Sequence, residues 1–277
     1  MIEHILKDKL NCGKIRPARG GGRCRFYDTD RGNFFVKIAK ASELSMLEAE
    51  LKGLKLIEET ETVRVPHPFL SGKTGAASYL VAEALDLRPH TPSSQQELGR
   101  QLARLHLTEG PEKFGLDFDN TIGLTPQVNT WTSSWVEFFK TNRLEFQLGM
   151  IKEKYDDADL LEKGEKLLDR LPEYFRGLEI KPSLLHGDLW GGNTASLRCG
   201  RPVVFDPACY WGHHEADLAM MEMFGGFTSD FFDAYHEAIP KSPGFDGRNK
   251  LYQLYHYLNH YLLFGGSYRH ACLSLLD

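Results

Sequence analysis

The sequence predicts an α+β fold in two lobes, a small antiparallel β-sheet with one helix followed by a larger, mainly helical part. Three observations predict it. Strand-like segments crowd the chain up to residue 87 and are interrupted by a single helical stretch. Residues 88–94, with two prolines and two serines, read as a loop and a natural boundary. Helical periodicity dominates from Gln95 onward. The expected division is therefore residues 1–87 and residues 88–277.

In chain order, residues 1–40 read as strands: 14–19, then Gly20-Gly21-Gly22, then 23–27, a turn at 28–32, and 33–40. The last piece, NFFVKIAK, is rich in aromatic and β-branched residues. Glycines let backbone N–H groups approach phosphate oxygens, because only hydrogen projects from each Cα. A flexible turn is the competing reading. Lys37 lies inside an apolar strand, where a charge is costly unless paired; a lysine reaching out to water is the alternative. Residues 42–58 read as a helix capped by Ser42, with Leu47, Leu51 and Leu54 on one face. Glu50 lies at the edge of that stripe and can satisfy Lys37. Glu43 competes, although a first-turn glutamate more often serves the helix dipole. Residues 63–68 and 78–87 read as two more strands, the second ending in Glu83-Ala84-Leu85-Asp86.

Past the boundary, residues 95–107 form a helix carrying Leu98, Leu102, Leu105 and His106, the histidine reading as a satisfied core residue. Residues 114–135 form a long polar and aromatic loop of the kind that binds ligands. Helices are expected at 131–150, 159–171 and 250–264. His213 and His214 suggest metal, but neighbours on a chain diverge and no third ligand has helix or strand spacing. Asp217 is expected to cap or brace the segment around residue 188.

Composition narrows the classes. At 277 residues, 42% hydrophobic and 26% charged, the chain is an ordinary globular one able to bury a substantial core. A net charge of −5 offers no footprint for nucleic acid and no attraction to an anionic membrane. Cys12, Cys24, Cys199, Cys209 and Cys272 form no C-x-x-C pair, and their odd count suits a reducing compartment. MIEHILKDKL lacks the apolar core of a signal peptide and no run approaches a membrane span. A cytoplasmic location is expected, with import by a removed transit peptide left open.

The chemistry concentrates in residues 184–206. His186, Gly187 and Asp188 are followed by Asn193 five positions beyond the aspartate, and by Asp206 thirteen residues later at the end of an apolar run. Phosphoryl transfer passes through a loose transition state, so catalysis is mostly positioning and charge neutralisation. One carboxylate must take the proton of the attacking hydroxyl. A second carboxylate and an amide oxygen must hold Mg²⁺, which prefers a few hard oxygen ligands with phosphate and water. The order matches H-x-D-x-x-x-x-N followed by a metal aspartate, with Gly187 in place of arginine and Asp-Pro in place of Asp-Phe-Gly. Asp188 fits the base, and Asn193 and Asp206 fit the Mg²⁺ ligands. Lys37 and Glu50 fit the pair that orients ATP phosphates, and backbone groups near Glu83 and Leu85 fit adenine. The bland reading is that these aspartates and glycines cap strands and turns.

LLHGDLWGGN, VVFDPACYWGHHEADLAM, FGGF, DNTIGLTPQVNTW, LYQLYHYLNHYLLFG and YDTDRGNFFVK together resemble the fructosamine-3-kinase and ketosamine-3-kinase family, from about residue 14 to residue 270. The resemblance implies a protein-kinase-like, bilobal fold with ATP between the lobes. It implies phosphorylation of the sugar 3-hydroxyl of ribulosamines or fructosamines on glycated proteins or small amines, leading to deglycation. On this basis Asp188 is the catalytic base, Asn193 and Asp206 hold Mg²⁺, and Trp190 and His186 bind substrate. Gly20, Gly21, Gly22, Lys37, Glu50, Glu83 and Leu85 bind ATP. A monomer or homodimer is implied, with no nucleic-acid or membrane partner. One departure is a glycine loop about three residues shorter than the family's, with Arg23 in place of a cysteine; Arg23 or Arg25 can compensate by pairing with phosphate, or nucleotide affinity falls. The alternatives are a phosphotransferase for an aminoglycoside or choline-like amine, and a pseudokinase that binds partners without turnover.

Overall fold

The structure, a computed structural model, describes residues 2–276. It opens with helix α1 (Ile2–Leu10), then strands β1 (Ile15–Gly21), β2 (Cys24–Thr29) and β3 (Gly32–Lys40). Helix α2 (Leu44–Glu59) precedes β4 (Pro68–Thr74) and β5 (Ala77–Glu83), and the five strands form one antiparallel sheet in the order β1-β2-β3-β5-β4. The expectation that residues 1–40 are strands throughout is corrected at its start. Ile2 and Leu6, one helical turn apart, bury together against Tyr27, Phe34 and Val36 of the sheet.

The predicted strand at 63–68 is also corrected. Val63 and Val65 are buried among residues of the C-terminal part, Arg64 makes an isolated parallel bridge to Val203, and regular pairing begins only at Pro68. Pro66 and Pro68 lack the N–H that a ladder needs, which explains the late start. The strand expected over 78–87 splits. After β5 ends at Glu83, the chain reaches β6 (Leu87–Arg88), which pairs with Leu197 and Ser196 across the junction.

Beyond it come α3 (Pro92–His106), the hairpin β7 (Asn120–Ile122) and β8 (Thr125–Gln127), α4 (Trp135–Phe139), α5 (Phe146–Tyr155) and α6 (Ala158–Arg170). Between α4 and α5 the helix widens to a π turn at Lys140–Glu145. Arg143 in that turn is fully buried, its guanidinium on Asn129 and over the rings of Phe138 and Tyr210. The remaining elements are β9 (Ser183–Leu185), β10 (Thr194–Leu197), β11 (Pro202–Val204), β12 (Tyr210–Gly212), α7 (Glu215–Phe224), α8 (Ser229–Ala238), α9 (Phe245–Phe264) and α10 (Arg269–Leu276). Strands β11-β10-β6 form one small sheet and β12-β9 another, and both frame the segment from His186 to Asp206. The largest hydrophobic cluster lies under them, with Trp135, Phe138, Phe139, Tyr252 and Tyr255 at its centre. The 114–135 segment contains the β7–β8 hairpin, so it is not irregular throughout.

Candidate active site

The buried strand β9 delivers the chain to His186. Gly187 follows with φ +81°, and a Cβ there would lie 2.1 Å from the Ala208 carbonyl oxygen, so only glycine fits. The backbone N–H groups of His186 and Gly187 donate to the two carboxylate oxygens of Asp217, each at 2.7 Å. His106 approaches the same carboxylate at 3.1 Å and places its other ring nitrogen 2.8 Å from the Tyr235 hydroxyl. Burial opposes the Asp217 charge, yet His106, His186 and the Gly187 amide hold its pKa below the ordinary value. Asp217 thus braces this loop, and His106 is a satisfied core residue.

The expectation that His186 binds substrate is corrected. Its side chain is fully buried and its Nε2 lies 3.1 Å from the Phe205 carbonyl, so the ring ties two turns together and reaches no open space. Burial lowers its pKa, against the pull of the Asp217 carboxylate.

Asp188, Asn193, Lys37, Glu50 and Asp206 face one cleft. Asn193 donates through Nδ2 to the Asp188 carbonyl at 2.8 Å and to its carboxylate Oδ2 at 3.2 Å. Its Oδ1 accepts no hydrogen bond among the described residues, and Asn193 lines the cleft. Lys37 donates to Glu50 at 2.7 Å and to Asp206 Oδ1 at 2.9 Å, joining residues 169 positions apart. Burial works against the Lys37 charge, but the Glu50 and Asp206 carboxylates outweigh it and hold the pKa up. Burial pushes Glu50 up despite Lys37, and pushes Asp188 to about 7 with help from the nearby Asp206 and against the Asn193 hydrogen bond. Asp206 has φ +57° directly before Pro207, a left-handed conformation that costs a non-glycine residue about 1–3 kcal/mol. Flanking backbone bonds hold it there, Phe205 N–H to Asn193 at 3.0 Å and Ala208 N–H to His186 at 2.8 Å. An unpaired amide oxygen and a half-exposed carboxylate, both hard donors on residues that line one cleft, fit a divalent cation of the magnesium type.

Two cavities meet at this group and share Glu50 and Asp206 as lining. One, about 300 Å³, is walled by Phe26, Phe35, Leu54, Leu80, Leu85 and Phe205 and touches Glu83. The Glu83 N–H donates to His67 and the Ala84 N–H to Asn33, while the Leu85 N–H makes no backbone hydrogen bond among the described residues. Leu85 therefore offers a free donor at the rim of an apolar slot, whereas the Glu83 amide is already engaged. The other cavity, about 430 Å³, contains Asp188, Asn193, Asp206, Trp190 and Arg23, with Thr121 and Leu124 of the β7–β8 hairpin as one wall. Asn120 and Gln127 anchor that hairpin by donating to Cys209 and Ala208, just past Asp206. Only the final anchoring was hidden from sequence; the polar run at 114–135 was the signal for the wall itself.

The glycine run closes as a tight hairpin, with Gly21 opposite Cys24 and Gly22-Arg23 as the turn. Gly20 has φ +97°, and a Cβ there would meet the Cys24 carbonyl at 2.4 Å. Arg23 is not free: its Nη2 binds both carboxylate oxygens of Glu43 at 2.8 Å, which explains why Glu43 does not compete for Lys37. Elsewhere His213, His214 and Glu215 bring their ligand atoms within 4.8 Å of one another. Arg248 binds both Glu215 oxygens, and the two histidines meet the hydroxyls of Tyr252 and Tyr235. Every member is engaged and a guanidinium sits beside them, so a cation has no opening.

The family model described as fructosamine kinase matches residues 1–277. The chain is 44% identical over 264 residues to "Protein-ribulosamine 3-kinase, chloroplastic" of Arabidopsis thaliana, covering 93% of this chain and 80% of that one. It is 42% identical over 306 aligned residues to "Ketosamine-3-kinase" of Mus musculus, covering 99% and 98%. A Haemophilus somnus 129PT protein, whose crystal structure carries the provisional name fructosamine-3-kinase, superposes with TM-score 0.85 at 31% identity over 99% of this chain and 95% of that one.

Proposed function

The chain belongs to the fructosamine kinase family, and we propose on that premise how its residues carry out the reaction. It is an ATP-dependent kinase of protein-kinase-like fold that phosphorylates ketosamines. In our reading the sugar 3-hydroxyl is the acceptor, and the phosphorylated adduct then eliminates and frees the amine. The observation that carries the residue roles is the convergence of Asp188, Asn193, Lys37, Glu50 and Asp206 on one cleft that adjoins a slot walled by aromatic and aliphatic side chains.

Adenine enters the slot with its edge toward the free Leu85 N–H and the Glu83 carbonyl. Glu50 holds Lys37 so that its ammonium meets the phosphates instead of water. Asp188 receives the proton of the incoming hydroxyl, its carboxylate fixed by Asn193. Trp190 lies against the sugar. Asn193 Oδ1 and Asp206 hold magnesium, which when bound neutralises charge on the phosphate oxygens. Residues 1–87 and 88–277 are the two lobes that meet at this cleft. Arg23 is already paired with Glu43, so the short hairpin covers the phosphates mainly with backbone. Apart from Glu50, Asp188 and Asp206, the second cavity has no acidic side chain, which disfavours a polycationic aminoglycoside.

We place the enzyme as a monomer or homodimer that needs no nucleic acid or membrane, in a reducing compartment such as the cytoplasm, where five free cysteines persist. No helix of the described residues is long and apolar enough to cross a membrane. The test is ADP release with a ribulosamine, a fructosamine and an aminoglycoside side by side. Turnover with either ketosamine and none with the aminoglycoside is expected; the reverse order overturns the reading.

A further inference from the structure

Three times the chain sets an aromatic residue before two glycines: Trp190-Gly191-Gly192, Phe224-Gly225-Gly226 and Phe264-Gly265-Gly266. The fold gathers all three near the mouth of the cavity that holds Asp188. Phe224 is the last residue of α7 and Phe264 the last of α9, and each helix is ended by a glycine of positive φ, +70° at Gly225 and +84° at Gly265. The first two glycine pairs touch backbone to backbone, since a Cβ on Gly226 would lie 2.8 Å from the Gly191 Cα. That approach seats the Trp190 ring against Phe224, edge to face, with centroids 6.3 Å apart. From there the row continues, Phe224 to His260 at 4.9 Å and His260 to Phe264 at 5.5 Å. Leu124 lines the same cavity, and its neighbour Gly123 faces Leu263, the residue before Phe264.

Seven large hydrophobic side chains are exposed among the described residues, and four of them, Leu124, Trp190, Phe224 and Phe264, belong to this rim. Single exposed apolar residues are ordinary, but a contiguous row beside a cavity marks a surface that something covers. The occupant follows from continuity with the cavity. With the sugar end of a ketosamine directed at Asp188 and Trp190 lying against it, the amine end must leave across the rim. A small amine ends near Trp190 and leaves Phe224 and Phe264 in water. A polypeptide does not, because residues on either side of the modified lysine extend by about 3.3–3.6 Å each. The four exposed rim side chains, Leu124, Trp190, Phe224 and Phe264, are uncharged and largely apolar, so they favour aromatic or branched aliphatic neighbours over charged ones.

We propose that this rim is the docking surface for a glycated polypeptide, and that it selects ketosamine-bearing lysines flanked by aromatic or branched aliphatic residues. The proposal rests on the ketosamine-kinase reading and names the acceptor class of the same site.

Three acceptors test it with the full-length enzyme: a small ketosamine of a lysine amide, a glycated peptide with Phe and Leu beside the modified lysine, and the same peptide with Ser and Gly there. The apolar-flanked peptide should have a kcat/KM on the order of tenfold higher than the Ser/Gly peptide, through KM, as one fairly buried aromatic contact supplies. Phe264→Ser, at a position 64% exposed, should keep the melting temperature and the rate with the small ketosamine while removing that preference. Phe264→Trp should retain it. Equal kcat/KM for the two peptides overturns the proposal, as does a Phe264→Ser loss that is the same for all three acceptors. Sedimentation showing a dimer that Phe264→Ser dissociates overturns it in favour of a second copy on the rim. If none of the three is phosphorylated, the ketosamine reading fails and the docking proposal falls with it; turnover of the small ketosamine alone removes only the docking proposal.

Discussion

In the proposed reaction Asp188 combines two demands, a carboxylate that must accept a proton and a position that resists charge. Burial, then the nearby Asp206, push its pKa to about 7, above the ordinary aspartate value of 3.8. A base works only when deprotonated, so kcat/KM for the acceptor should fall about tenfold per pH unit below about 7 and level off above it. A profile flat from pH 5.5 to 8 removes Asp188 from that role. Asp188→Asn should bind ATP and lose kcat by several orders of magnitude, on the order of 10³ or more. The same substitution carries a stability signature. Between pH 3.8 and about 7 the folded protein holds a proton at Asp188 that the unfolded chain releases, so the carboxyl lowers stability as pH rises through that window. Asn has no such proton. The melting temperature of Asp188→Asn should therefore gain on the parent as pH rises from 5 to 8, and a gap independent of pH contradicts the burial argument.

At the scale of elements, the loop after β9 is held by a helix that is remote in sequence. Asp217 at the start of α7 satisfies two consecutive N–H groups of that loop, and Gly187 lets it pass the Ala208 carbonyl without collision. Gly187→Ala forces both a positive φ on a residue with a Cβ and a contact at 2.1 Å, so backbone must move. The expected cost is about 2 kcal/mol or more, with activity lost even where the chain still folds. Equilibrium urea unfolding measures it, and a loss below about 0.5 kcal/mol would mean the loop is far softer than its hydrogen bonds imply. The π turn at Lys140–Glu145 plays a matching part on the far wall, where buried Arg143 holds Asn129 and so the base of the β7–β8 hairpin.

Across the whole molecule, Leu54 and Ile57 of α2 pack into one core with residues of the helical part, and Lys37 reaches Asp206 across the cleft. A ligand that bridges both sides stabilises the folded state by mass action, about 2.7 kcal/mol at a concentration one hundred times its Kd. MgATP should therefore raise the melting temperature of the parent protein. Asp206→Ala should abolish most of that rise while the variant without ligand melts close to the parent; an unchanged rise excludes Asp206 as a metal ligand. The aromatic rim belongs to this scale too, because Trp190, Phe224 and Phe264 come from a loop and two helix ends that only the assembled helical part brings together.

The sequence by itself picked out the set of residues to which the proposed chemistry is assigned. Asp188 and Asn193 lie on one short turn, Asp206 ends an apolar strand, and Lys37 and Glu50 sit on adjacent elements, so covalent spacing and periodicity limit where each can point. The helix at Ile2–Leu10 reads as strand from sequence, because only Ile2 and Leu6 mark its buried face and the neighbours are strand-rich. Tertiary structure alone decided which groups are covered and which are free. It buried His186, engaged Arg23 with Glu43, left the Leu85 N–H open while occupying that of Glu83, and closed the His213-His214-Glu215 cluster with Arg248. The physical reason is that local spacing fixes a side chain's direction along its own element, whereas its partner and its solvent exposure depend on segments that folding brings from far along the chain.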